Sequence, residues 1–140
     1  MKQDTKQALA MLEAGSYTCV VCKGDIRFSA MERGVKPLLN WLDSGNDLRG
    51  FCAADKVVGR ATAFLYVLLG VSEVYAHVMS RPAMEVLTRQ GISAHAGNMV
   101  PGIINRRGIG PCPFEAAVMG ISEPEEALAA IRLKMAQMTK

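Results

Sequence analysis

Aromatic residues are scarce in this sequence, at 6% of 140 positions, and histidine is scarcer, with two. The first shortage argues against a nucleic-acid platform, which stacks bases on aromatics within a basic patch. The basic residues do not compensate: the net charge is +3, Lys and Arg are scattered, and Arg106–Arg107 is the one adjacent pair. His77 and His95 stand apart in the chain, too few for a histidine-built metal centre. Long apolar runs are also missing. The most apolar stretch, Ala61 to Val71, is interrupted by Gly70 and too short to cross a bilayer, so it reads as a buried helix. The opening MKQDTKQALAMLEAG is polar and helix-like and lacks the apolar centre of a signal peptide. A cytoplasmic, reducing compartment is the resulting expectation. Cys19, Cys22, Cys52 and Cys112 are then expected as thiols rather than a disulfide frame. Neither a Walker-type glycine loop nor a Ser-His-Asp order is present.

What the sequence does have is apolar material, half of all residues, enough to close a core in a chain of this length. The expectation is a single domain over 1–140. Residues 3–14 carry Ala8, Leu9, Met11 and Leu12 on one face and stop at Gly15, which predicts a helix. Tyr17 to Cys22, a Lys-Gly-Asp turn, and Ile26 to Phe28 predict a β-hairpin. A short helix follows Arg33-Gly34, with Pro37 in its first turn. Leu48 to Ala54 predicts a strand that runs into Asp55 and a helix from Lys56 to Leu69. Glu73 to Met79 predicts a strand, Ser80 caps a helix ending near Gly91, and Ile92 to His95 predicts the last strand. After a glycine- and proline-rich loop from Asn98 to Cys112, a short helix begins at Pro113. Ser122-Glu123-Pro124-Glu125 opens a final helix. Strands alternating with helices give an α/β fold. Its parallel neighbours are joined by right-handed crossovers, and the hairpin makes the sheet mixed, with helices on both faces.

Three segments carry a resemblance. Glu32-Arg33-Gly34-Val35-Lys36-Pro37-Leu38-Leu39, Ala54-Asp55-Lys56-Val57-Val58-Gly59-Arg60-Ala61, and Asn105-Arg106 with Cys112-Pro113-Phe114-Glu115 are similar to an uncharacterised prokaryotic domain family. That family is a domain of unknown function with a cytidine-deaminase-like fold that lacks the zinc-binding motifs. The resemblance implies a three-layer sandwich around a five-stranded mixed sheet in the order 2-1-3-4-5. It also implies a crevice between the helices that start near Arg33 and Asp55. A zinc deaminase needs H-x-E or C-x-E at the first of these and P-C-x-x-C at the second. Here the first offers Arg33-Gly34-Val35-Lys36 and the second Ala54-Asp55-Lys56-Val57-Val58, with no His or Cys. Pro111-Cys112-Pro113-Phe114-Glu115 starts like the second motif, but Glu115 stands where the second Cys belongs. No metal ligands and no cofactor are assigned, and zinc-dependent deamination is not expected.

The candidate catalytic residues are Asp55, Lys56, Cys112 and Glu115. Asp55 would move a proton, or only cap a helix. Lys56 would add charge at a helix start, where N–H groups attract anions. Cys112 would be the N-cap of the short helix at Pro113. Beside Arg106 and Arg107 it would be a low-pKa nucleophile, or simply a small residue filling a corner. Glu115, one turn on, would be a base or a second cap. Candidate ligand-binding residues are Arg33, Gly34, Gly59, Arg60, Asn105 and Arg106. The arginines suit bidentate binding of phosphate or carboxylate. Gly59 would admit a close approach. Cys19 and Cys22 have C-x-x-C spacing, but residues three apart on a strand face opposite ways. The expected partner is a small anionic metabolite, nucleotide-like in kind, with no membrane and no nucleic acid; a homo-oligomer is expected by analogy. Two functions remain open: a zinc-independent enzyme on such a metabolite, or a non-catalytic binding or regulatory module using the same anion pocket. Fold alone does not choose between them.

Overall fold

Five segments rich in small, β-branched or aromatic residues form the sheet: β1 (Cys19–Lys23), β2 (Ile26–Ala30), β3 (Cys52–Val58), β4 (Glu73–Ser80) and β5 (Ser93–Val100). Six helices connect and follow them: α1 (Gln3–Ala14), α2 (Lys36–Asp43), α3 (Arg60–Leu69), α4 (Arg81–Arg89), α5 (Pro113–Ala117) and α6 (Pro124–Met138). This computed structural model describes residues 1–104 and 112–138. The sheet order is β2-β1-β3-β4-β5, as the resemblance implies. β1 pairs antiparallel with β2 and with β3, and β3, β4 and β5 run parallel. The two crossovers through α3 and α4 place both helices on one face, as right-handed connections require.

Apolar residues are buried on both sides of the sheet. On one side α1 seats Ala8 and Leu12 on Val20, Cys22 and Ala54. On the other, Leu38, Phe64, Leu65, Leu87 and Ile131 from α2, α3, α4 and α6 close over Cys19, Val21, Ala53, Val74 and Ala76. Each of the Val, Leu, Ile and Phe side chains among them contributes roughly 1.5–3 kcal/mol when fully withdrawn from water. Cys19 and Cys22 fall in different clusters, as period-two alternation demands, and all four cysteines are free thiols. No described helix is long and apolar enough to cross a membrane.

α1 is fastened by a polar clasp. The buried Glu73 carboxylate accepts from the Lys2 N–H (2.7 Å) and the Thr5 hydroxyl (2.5 Å) at the start of α1, and pairs with His95 Nε2 at 3.2 Å. Burial acts to raise the Glu73 carboxyl, but these bonds outweigh it and hold it below its ordinary value. His95 therefore has a structural partner, as does His77, whose Nδ1 lies 3.3 Å from the Tyr75 hydroxyl.

Two boundaries differ from the sequence reading. The helix expected from Lys56 starts at Arg60, because Asp55 to Val58 continue the ladder, with Cys19 opposite Asp55 and Met79 opposite Val58. Consecutive Val57 and Val58 favour that extended backbone. β5 also runs on to Val100 rather than ending near His95, since β4 offers it parallel partners as far as Ser80.

Candidate active site

The longer β3 changes where the key residues point. Asp55 is not a helix cap; it lies within the strand, 7% exposed, at a cavity of about 530 Å³. β3, the turn before α2, the start of α3 and the α5 segment enclose this space. Met31, Val35, Val57, Ile103 and Phe114 give apolar walls, and Ser16, Thr18 and Thr62 add hydroxyls. Of the ten residues singled out in the sequence, the cavity gathers seven: Arg33, Gly34, Asp55, Lys56, Gly59, Cys112 and Glu115. Asn105 and Arg106, with Arg107, lie outside the described residues.

Asp55 has two protic companions that the sequence reading passed over. Tyr66, from the second turn of α3 and fully buried, donates its hydroxyl to Asp55 Oδ2 at 2.7 Å. Cys19, directly across the ladder, sets its thiol 2.9 Å from the same hydroxyl. The phenol proton is committed to Asp55, so the thiol is the donor on its side, within reach of both the phenol oxygen and the Asp55 carboxyl. The Val57 N–H donates to Oδ1 at 3.2 Å. Burial pushes the Asp55 carboxyl up to about 6, against the downward pull of the Tyr66, Val57, Cys19 and Lys56 hydrogen bonds. Burial, followed by the nearby Asp55 charge, raises the Cys19 thiol and the Tyr66 phenol well above their ordinary values, so both stay protonated at neutral pH. Asp55 is thus a carboxyl group that exchanges its proton near neutrality while lining a cavity, a combination suited to acid–base chemistry.

Of the two roles open to Glu115, base or cap, it takes that of a cap, and the helix it caps is α3. Its Oε1 accepts from the Arg60 N–H at 2.6 Å and its Oε2 from the Ala61 N–H at 2.8 Å. The carboxylate fills the positive start of α3, where a ligand anion was expected. Gly59 makes room for it: a Cβ there would lie 2.4 Å from Glu115 Oε1. The close approach read into Gly59 is real, and the group that approaches belongs to the protein.

Arg60 is a correction. Set at the first position of α3, it turns away from the cavity, bonds the Ile121 carbonyl, and lays its guanidinium carbon 5.2 Å from the centre of the Phe64 ring. It borders a separate small recess with Glu85 and Arg89. Arg33 and Lys56 are exposed at the cavity, and among the described residues neither has a carboxylate partner, unlike neighbouring Lys36, which pairs with Glu32 at 3.3 Å. Gly34 turns the chain into α2 with φ +72°, a conformation other residues rarely adopt. Cys112 takes the N-cap position before Pro113, but its side chain makes no cap bond and α5 has only five residues.

A zinc-deaminase centre does not fit these residues. Asp55 Oδ2 is held by Tyr66 and Oδ1 by a backbone N–H, and Glu115 is bound through both oxygens. Among the described residues no three of His, Cys, Asp and Glu are grouped to hold a metal ion.

Comparison with known proteins adds a family. The profile of a domain of unknown function, DUF1893 (TM1506), matches residues 7–135. The crystal structure of a DUF1893 family protein (TM1506) from Thermotoga maritima superposes with a TM-score of 0.85 at 25% identity, covering 98% of this chain and 92% of that one. A dCMP deaminase from the cyanophage S-TIM5, in apo form, gives a TM-score of 0.45 at 14% identity, covering 69% of this chain and 99% of that one, a likeness too distant to carry an inference. No curated protein matches. With nearly its whole length matched and the same fold in a solved relative, this chain belongs to the DUF1893 family.

Proposed function

We propose that this protein is a zinc-independent enzyme acting on a small anionic, nucleotide-like metabolite, with Asp55 as its proton-transfer group. The observation that carries this reading is the buried Asp55 carboxyl, raised to about 6 and bordering a cavity of about 530 Å³. A group that titrates close to the working pH serves both as acid and as base. The cavity volume is in the range of small-molecule sites, and the apolar walls suit a flat, weakly polar body. The start of α3 is closed by Glu115, so the ligand anion falls to Arg33 and Lys56. Cys112 borders the same space and is the group available for attack on an electrophilic ligand atom.

A thermal-shift screen with nucleotides, nucleosides and sugar phosphates, followed by product analysis, tests the proposal. At least one anionic metabolite raises the melting temperature by mass action. Asp55→Asn then keeps that shift and loses turnover. If no anionic metabolite shifts the transition, the reading falls.

A second reading has one observation in its favour: Glu115, a candidate base, is spent on capping α3, which leaves fewer groups for chemistry. A non-catalytic binding module would then use the same cations. Lys56→Ala would weaken its ligand and no turnover would accompany binding.

A further inference from the structure

We propose that Tyr66 and Cys19 are positioning residues that fix Asp55 Oδ2 as a permanent acceptor, so that the proton Asp55 exchanges with a ligand travels on Oδ1. The proposal rests on the reading of Asp55 as the proton-transfer group and names how that group is oriented.

The argument starts from the order of donors. Tyr66 has one hydroxyl proton, and at 2.7 Å it points to Oδ2. The Cys19 thiol lies 2.9 Å from the Tyr66 oxygen and also hydrogen-bonds the Asp55 carboxyl. Tyr66 and Cys19 are both donors gathered on the Asp55 carboxyl, Tyr66 directly on Oδ2. All three are in the core, with Cys19 2% and Tyr66 0% exposed, so water does not compete with these bonds. An oxygen that already accepts a phenol proton is a poor place for a second proton. The acid proton therefore resides on Oδ1, which accepts the Val57 N–H at 3.2 Å, a longer bond than that from the phenol. In the exchange, the O–H bond at Oδ1 breaks, the proton passes to a basic nitrogen or carbonyl oxygen of the ligand, and the bonding pair stays on Asp55. Oδ2 keeps its bond from Tyr66 throughout, and the reverse transfer restores the acid.

Among the described residues, Tyr66 and Cys19 are the side chains hydrogen-bonded to Asp55. β1 presents Cys19 and α3 presents Tyr66. β4 presents Ala76 across the ladder, which does not titrate. Among the described residues, the other charged or titratable ones around the cavity are Arg33, Lys56, Cys112 and Glu115.

The test is a pH titration of the protein's aspartate side-chain carboxyl carbons by ¹³C NMR, with the Asp55 signal assigned by its loss in Asp55→Asn. Tyr66→Phe keeps the ring and removes the donor, and the Asp55 midpoint rises by about one pH unit, the size of one lost hydrogen bond to a charged group. Cys19→Ser, which keeps a donor, leaves the midpoint within about 0.3 unit, whereas Cys19→Ala raises it by less than Tyr66→Phe does. An unchanged or lowered midpoint in a folded Tyr66→Phe protein overturns the proposal. Should that variant not fold, replacing the tyrosines of the natural sequence with 3-fluorotyrosine makes the phenol a stronger donor. The midpoint then falls, and an unchanged midpoint overturns the proposal. No ligand is involved, so the positioning role stands or falls independently of whether a substrate is found.

Discussion

A carboxyl group that is 7% exposed and titrates near 6 is held at some cost to stability whenever it is charged. The folded protein binds the Asp55 proton more tightly than the unfolded chain, whose carboxyl has the ordinary value of 3.8. The contribution is therefore fully present below about pH 4 and is lost as the pH rises through about 6, and the shift corresponds to about 3 kcal/mol. Asp55→Asn, which cannot ionise, is expected to be more stable than the natural protein at pH 7.5 by about 2 kcal/mol and no more stable at pH 4. Denaturant unfolding of both proteins across that range measures it, and the comparison cancels every other titrating group. A variant less stable at pH 7.5 would mean that Asp55 is a structural anchor. The residue itself was legible in the sequence, where an acidic side chain closes the apolar Leu48 to Ala54 stretch. Its companions were harder to read. Tyr66 is hidden in the most apolar run, and Cys19 belongs to a spacing that correctly argues against a paired site. The available signal was the phenol itself, because a buried tyrosine hydroxyl needs a partner.

Glu115, in the space left by Gly59, ties α5 to the start of α3 through a hydrogen bond from Arg60 that spans 55 residues. The cap satisfies two N–H groups at the start of α3, a contribution of about 1–2 kcal/mol. Gly59→Ala would place a methyl group 2.4 Å from Glu115 Oε1, so the flexible carboxylate must withdraw and the cap is lost. Glu115→Ala and Gly59→Ala are each expected to destabilise by about 1–2 kcal/mol, and the double variant by no more than the larger single effect. Additive losses in a double-mutant cycle would break the link. The sequence pointed to Glu115 as a further cap or a base, and to Gly59 as a site of close approach. It did not show that one explains the other, because the contact joins a strand end to a five-residue helix far along the chain. The same limit applies to β3, where Asp-Lys before two valines reads locally as a helix start. Pairing with β1 on one side and β4 on the other holds it extended.

For the molecule as a whole, acid–base and cationic groups meet at one cavity. It holds a carboxyl that titrates near neutrality and, among the described residues, two exposed cations, Arg33 and Lys56. Arg33→Ala and Lys56→Ala are expected to leave stability within about 0.5 kcal/mol, since both residues are on the surface. They should remove the thermal shift given by an anionic metabolite, and high salt should reduce that shift in the natural protein. A shift that survives the loss of both cations would place the anion elsewhere. The element order, the mixed sheet and its two helical faces were legible because hydrophobic period and turn residues are local signals. The grouping of seven chosen residues around one hollow was foreshadowed by the resemblance rather than by any pattern within the segments.

The clasp at Glu73 has its own consequence for how the chain assembles. Thr5 must wait for a partner 68 residues downstream, beyond the hairpin and two further helices. α1 precedes β1 and β3, on which Ala8 and Leu12 pack, but the clasp at its start has no acceptor until β4 is made, so α1 is locked in place late. Its backbone amides should then exchange with solvent sooner than those of β3 and β4, which are buried between neighbours on both edges.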